Sequence, residues 1–419
     1  MNAPRGTHLP SIALLAVSGL GLLVYWGAAA AFAAGGLYML VMEDALSAQT
    51  FSLWTLSATA LFFGLLLLPP LALAFLRLIG HDGPALPRVP GAQRLLPWLW
   101  VLWPVVLLLG HLAFRLGKAA WLVLPPLQIL AVCIPLVWFF HLGSRGLEKL
   151  RPPVGWGLVA YGLSLSPILI IGLEMVLLAG AFVLLVLFLM NRPDLMGQLG
   201  PISEQYLQQQ LSPELLFQRV RPLLMQPGLI AGVLAFMAGI VPVVEEILKP
   251  AALWLLAGKR LTPAQGFVGG LLCGGVFTLM ETLGNLSAPA EDMWLVLVAT
   301  RAGTGLLHMV ASGLVGWGLA SALGQGRYLR LVGAFISASL LHSLWNVAAL
   351  VMGIAPVLYP AAAPSIGTAA WLGRAAPWVL AGLMLLLFAI LGGMNQKLRA
   401  QAAVSVPLPP ASDFTENIG

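Results

Sequence analysis

The sequence predicts an all-α protein, a polytopic transmembrane helical bundle of about 10 spans with both termini on the cytoplasmic side. Three observations carry this. Of 419 residues, 60% are hydrophobic and only 9% are charged, against about 25% charged in soluble domains. The apolar residues gather in runs of about 20 or more, the length that crosses a bilayer. The loops between these runs alternate between basic and acidic, as the positive-inside rule requires.

The runs cover 11–34, 51–76, 95–114, 119–141, 160–190, 229–257, 262–286, 293–321, 331–353 and 376–396. Only Arg5 precedes the first, with no small-residue cleavage site, so it reads as a retained helix rather than a signal peptide. Glu43 and Asp44 follow it on one side. Arg77, Arg88 and Arg94 follow the second run on the other. Arg145, Lys149 and Arg151 follow the fourth, and Lys259 and Arg260 the sixth. Glu291 and Asp292 follow the seventh, Arg327 and Arg330 the eighth, and Lys397 and Arg399 the tenth. Arg115 and Lys118 break the pattern by falling outside. Glu174 stands alone in the fifth run. It is expected to pair with another helix, with a place beside a polar pocket as the alternative.

The chain divides into four regions. Residues 1–190 form an N-terminal transmembrane region of about five spans, without motifs. Residues 191–226 form a polar extracytoplasmic insert, read as a solvated connector with a short amphipathic helix. Residues 227–396 form a second transmembrane region, and 397–419 a disordered cytoplasmic tail with Pro407, Pro409 and Pro410. The net charge of +6 belongs to cytoplasmic loops. Basic and aromatic residues do not interleave, so nucleic acid is excluded as a partner. Cys133 and Cys273 both fall in apolar runs, without disulfide or zinc spacing.

The chemistry lies in the second half. Glu245, Glu246 and Lys249 sit inside the sixth run. Taken singly, three such charges would cost about 8–10 kcal/mol at membrane depth. Pairing of Glu245 with Lys249, one turn apart, relieves part of that. Pro242 and Pro250 lack N–H groups and crowd the carbonyls of Ala238 and Glu246, so the helix is expected to loosen on both sides of the carboxylates. Freed backbone at that depth needs protein or a wet cavity around it.

Three further spans carry polar stripes. Phe277, Glu281 and Asn285 recur every four residues, and so share a face. Arg301, His308 and Ser312 share one on the next span, and His342 and Asn346 on the next. Each stripe alone could be interhelical glue. Together, three carboxylates, a lysine, an arginine and two histidines on four consecutive spans must find each other, because lipid offers no partner. Such a set titrates as a coupled group and supplies both a base and an acid. His342 and Asn346 are suited to donate hydrogen bonds to an oxyanion. These parts suit amide hydrolysis inside a membrane. A divalent metal such as zinc, held by His308, His342 and Glu281, is the open alternative, although no His-Glu-x-x-His is present. Intramembrane charges also mark ion- or proton-coupled transporters. A catalytically inactive membrane scaffold is the third reading.

Glu245-Glu-Ile-Leu-Lys249, Phe277-x-x-x-Glu281, His308-Met-Val-Ala-Ser312 and His342-Ser-Leu-Trp-Asn346 resemble, in order, the motifs of the PrsW family of intramembrane proteases, related to the CAAX prenyl proteases and their bacterial homologues. The resemblance spans about 229–350 and makes 227–396 the catalytic region. It implies cleavage of a membrane-protein substrate in a bacterial cytoplasmic membrane, of the kind associated with regulated cleavage of anti-sigma factors. Glu245 and Glu246 match the essential pair, one activating water and the other orienting it or pairing with Lys249. Glu281 matches the acid that helps hold the water, His308 the third-motif histidine, and His342 and Asn346 the oxyanion pair. Lys249, Phe277, Asn285, Arg301 and Ser312 are supporting residues. Thr282 stands where the family pattern has Asn, with Asn285 as its expected substitute.

Overall fold

The computed structural model describes residues 9–43, 47–81, 96–208, 212–256, 261–288, 291–358 and 368–404. Among these the chain is helical, with no strand, and ten helices are long and apolar enough to cross a membrane. The N-terminal region holds α1 (Leu9–Glu43), α2 (Ala48–Leu78), α3 (Leu99–Ala113), α4 (Ala120–Ser144) and α5 (Pro152–Met190). The insert holds α6 (Pro193–Leu207) and α7 (Pro213–Leu224). The second transmembrane region holds α8 (Pro227–Ala235), α9 (Val241–Leu248), α10 (Ala251–Leu256), α11 (Pro263–Asn285), α12 (Glu291–Gln325), α13 (Tyr328–Leu358) and α14 (Thr368–Val404).

All ten expected spans are present. The fifth starts earlier than its apolar run, because Pro152 and Pro153 open the helix directly after Arg151. The insert makes two helices rather than one. Ser212 restarts the chain by accepting the Leu215 N–H at 3.3 Å, with Pro213 in the first turn. Residues 397–404, expected in the tail, continue α14. Lys397 lies 4.8 Å from the Trp317 ring centre, and that cation–π contact holds the helix end against α12. Arg5, Asp44, Arg88, Arg94, Lys259, Arg260 and the prolines of the tail lie outside the described residues.

The core is centred on α12, which is buried without interruption from Ala302 to Ala322 and touches α4, α9, α11, α13 and α14. Its closest neighbour is α11. A Cβ at Gly270 or Gly274 would run into the backbone carbonyl of Ser312 or His308, so these helices meet backbone to backbone. Small residues permit such an approach in membranes. It fixes His308 on α12 against the Glu281 face of α11. The α1–α2 hairpin packs against α5, and Phe63 and Leu67 of α2 join the core from that side.

Candidate active site

The sixth span is broken on both sides of its carboxylates, as its prolines predict. Between α8 and α9 the backbone widens into a π-type turn at Phe236–Ile240, with the Val241 N–H on the Phe236 carbonyl. The next N–H in that register would belong to residue 242 and serve the Met237 carbonyl. Pro242 has none. The Asn346 amide donates to the Met237 carbonyl instead, at 2.8 Å. After α9 the helix stops at Lys249 and Pro250, and the Tyr161 hydroxyl donates to the Leu248 carbonyl at 2.9 Å.

Between the breaks, α9 turns Glu245 and Glu246 into the protein, and both are buried. Lys249 is enclosed with them, its side chain 0% exposed. Its ammonium hydrogen-bonds Glu246 Oε1 at 2.8 Å and His308 Nδ1 at 2.8 Å. It also lies 2.8 Å from Glu245 Oε2. That last contact is an ion pair, and beyond it Glu245 Oε2 has no further hydrogen-bond partner, so one of its lone pairs is open. Lys249 therefore pairs with both carboxylates. The Phe277 ring covers it at 4.5 Å and meets His308 edge-on at 5.1 Å.

Two histidines complete the cluster. His342 Nδ1 lies 3.0 Å from Glu246 Oε1, and its Nε2 faces Glu245 Oε2 at 3.9 Å. Because Glu246 accepts and does not donate, the His342 hydrogen belongs on Nδ1, which leaves a lone pair on Nε2. The His308 Nε2 hydrogen points to Glu281 Oε2 at 3.1 Å. Glu281 also forms an ion pair with Arg301 at 2.6 Å. Glu245, Glu246, Lys249, Phe277, Glu281, Arg301, His308 and His342 thus form one connected set across α9, α11, α12 and α13.

Three expected residues stand apart. Asn285 is exposed at the end of α11. Thr282 receives the Arg301 Nε hydrogen at 3.2 Å and so is tied to the cluster through Arg301, which Asn285 is not seen to touch. Ser312 is buried at the contact with α11, and its hydroxyl meets none of the cluster. Asn346 is tied to the backbone of the sixth span, with one N–H used there.

Glu174 also differs from expectation. Its Oε1 is buried without a hydrogen-bond partner, so it has no helix-pairing bond there. It lies within electrostatic reach of Glu245, Glu281 and Lys249, beside the cluster. Tyr161 is a contributor that sequence reasoning passed over, and Thr282 drew notice only as a departure from the family pattern. Tyr161 has Gly157 and Leu165 one turn to either side, so no polar stripe marks it in the sequence.

A metal set is present by residue type, with one change of member. Glu245, His308 and His342 each bring a donor atom to within 4.8 Å of the others. Glu281, expected in that set, is instead taken up by Arg301 and His308. Two histidines and a carboxylate are ligands that zinc accepts. Their lone pairs do not match, however, because both His308 nitrogens already have hydrogen-bond partners.

Residues 172–369 match the family model described as PrsW family intramembrane metalloprotease. No curated protein and no solved structure matches the chain. The matched segment contains all four polar stripes, with Glu174 near its start. This segment is similar to the PrsW family, and with the ten membrane-length helices the match supports a multi-pass membrane protein with an embedded peptidase.

Proposed function

We propose that the chain cleaves a peptide bond of a membrane-associated protein with water activated by carboxylates. The observation that carries this is the opposition of Glu245 Oε2 and His342 Nε2 at 3.9 Å, both with lone pairs to offer. Water admitted between them would point both hydrogens at these acceptors and its own lone pair outward, toward a scissile carbonyl. As the water oxygen bonds to the carbonyl carbon, one proton passes to this pair. Glu246, on the far side of His342, stabilises the imidazolium that forms. A carboxylate behind a catalytic histidine commonly has this role. When the C–N bond breaks, the same proton goes to the departing amine.

The other residues take positioning roles. Lys249 fixes both carboxylates. Glu281 and Arg301 hold His308 at Lys249. The second Asn346 N–H is the donor left for the oxyanion, and His342 supplies one only once it is protonated. The proposed setting is a bacterial cytoplasmic membrane with both chain termini in the cytoplasm, and the proposed substrate class is an anti-sigma-factor-like membrane protein. Residues 191–226 would then lie outside.

The test compares cells expressing wild type or the Glu245→Gln/Glu246→Gln variant at equal levels. Terminal-peptide mass spectrometry of membrane proteins should find a fragment made only by wild type, cut in or beside a span. Identical fragment profiles across growth and stress conditions would sink the reading.

A further inference from the structure

We infer that the Lys249 ammonium and a divalent metal ion compete for one cation position among Glu245, Glu246 and His308, so that with Lys249 in place the two-histidine, one-carboxylate set takes up no metal. The inference concerns the same cluster as the proposed hydrolysis, but it is read by metal content, so either can fail alone.

The argument starts from His308. Its Nδ1 lies 2.8 Å from an ammonium, which has only hydrogens to offer. Nδ1 must therefore be the acceptor, and a neutral ring then carries its hydrogen on Nε2. There it meets a carboxylate oxygen of Glu281, which only accepts, at 3.1 Å. The two neighbours demand the same tautomer, and that tautomer has no lone pair left. Zinc needs such a lone pair at about 2.0–2.1 Å from the nitrogen. A protonated ring has none either. His308 becomes a ligand only if Lys249 withdraws, or if the ring gives up both neighbours and changes tautomer.

Glu245 leads to the same place. Its Oε2 is 2.8 Å from Lys249 Nζ, so one ammonium sits against two of the three metal donors. The side chain is 0% exposed and is covered by the Phe277 ring, so it has no solvent route along which to swing aside. A divalent ion beside it would meet a like charge in a region without water to screen it. Removing the lysine reverses both conditions. It frees His308 Nδ1, and it leaves Glu245 and Glu246 as two carboxylates without their shared cation. A neutral residue at 249 therefore converts the cluster into a site suited to a divalent ion.

The experiment uses full-length wild type, Lys249→Met and Lys249→Met/His308→Ala, each purified in detergent, stripped with chelator, and titrated with Zn²⁺ or Co²⁺. Metal per chain is measured by mass spectrometry, and Co²⁺ coordination by its visible absorption. Wild type should retain no metal after dialysis and show no cobalt band. Lys249→Met should bind one ion per chain with a visible band, which the second substitution removes. One tightly held ion in wild type would overturn the inference. So would a monodisperse Lys249→Met that binds none. If Lys249→Met does not stay monodisperse, wild type is compared with His308→Ala over the same titration. Equal, weak uptake then supports competition, and uptake that depends on His308 overturns it.

Discussion

The Asn346 side chain donates to the Met237 carbonyl at 2.8 Å, in the turn where Pro242 removes the N–H that would have served it. A side chain from the ninth span thus completes the backbone of the sixth. An orphaned carbonyl costs about 1–3 kcal/mol, so Asn346→Ala should lower stability by about that amount and reduce cleavage. The cost should shrink in a Pro242→Ala background, where residue 242 regains its N–H. A double-mutant cycle on thermal unfolding in detergent measures the coupling. Strict additivity would show that Asn346 does not serve that carbonyl.

Glu245→Gln and Glu246→Gln should each abolish cleavage while the protein still inserts. Removal of a general base or its partner typically costs 10²–10⁴-fold, on the order of what is expected here. Glu281→Gln and His308→Ala should reduce the rate severely by releasing the far side of the Lys249 network. Cleavage of a reconstituted substrate, normalised to folded protein, is the readout. Near-normal hydrolysis in all four variants would show that the residues are misassigned.

Lys249→Met strands two buried carboxylates. Breaking a buried ion pair by removing one partner costs about 3–5 kcal/mol, so the variant should accumulate poorly and melt early. Adding Glu245→Gln and Glu246→Gln should restore much of the loss, because the stranded charge goes with them. Fluorescence-detected size exclusion reports both effects. Equal yields of Lys249→Met and wild type would mean that water reaches the lysine.

Gly274→Ala places a methyl group against the His308 backbone carbonyl. Backbone yields less readily than a side-chain tip, so separation of α11 from α12 should cost about 1–3 kcal/mol. It should also weaken the His308–Glu281 contact, and with it activity. Gly284→Ala, with nothing within 4 Å of the added carbon, is the control and should behave as wild type. Comparable losses in both would point to helix flexibility rather than close approach.

Much of this was legible in the sequence, because membrane insertion is set by composition. The apolar runs gave ten spans, and Pro242 and Pro250 marked where the sixth would break. The stripes were legible because an isolated charge in lipid must find a partner. Which partner it finds depends on helix rotation and depth, and periodicity carries neither. Asn285 shares a face with Glu281 yet sits a turn too far along, outside the cluster. Thr282, a quarter turn away, reaches Arg301. Glu281 is the carboxylate that the sequence reading joins to the histidines as metal ligands, and the α11–α12 contact and the kinked sixth span bring Glu245 there instead. The glycines at that contact spell a small-residue stripe readable in principle, but glycine is common throughout this chain. The second helix of the insert was not legible because Pro213 follows a serine in a polar stretch that also reads as a loop.

The partners of the sixth span also bear on how the protein is made. Lys249 waits for His308, which follows 59 residues later, and Glu246 waits for His342, 96 residues later. Until the eighth and ninth spans leave the ribosome, the sixth carries its charges with only local pairing. It is therefore the span most prone to slip back out of the bilayer during synthesis. Its retention then depends on the arrival of the ninth span, so the buried polar cluster couples the biogenesis of the sixth span to that of the ninth.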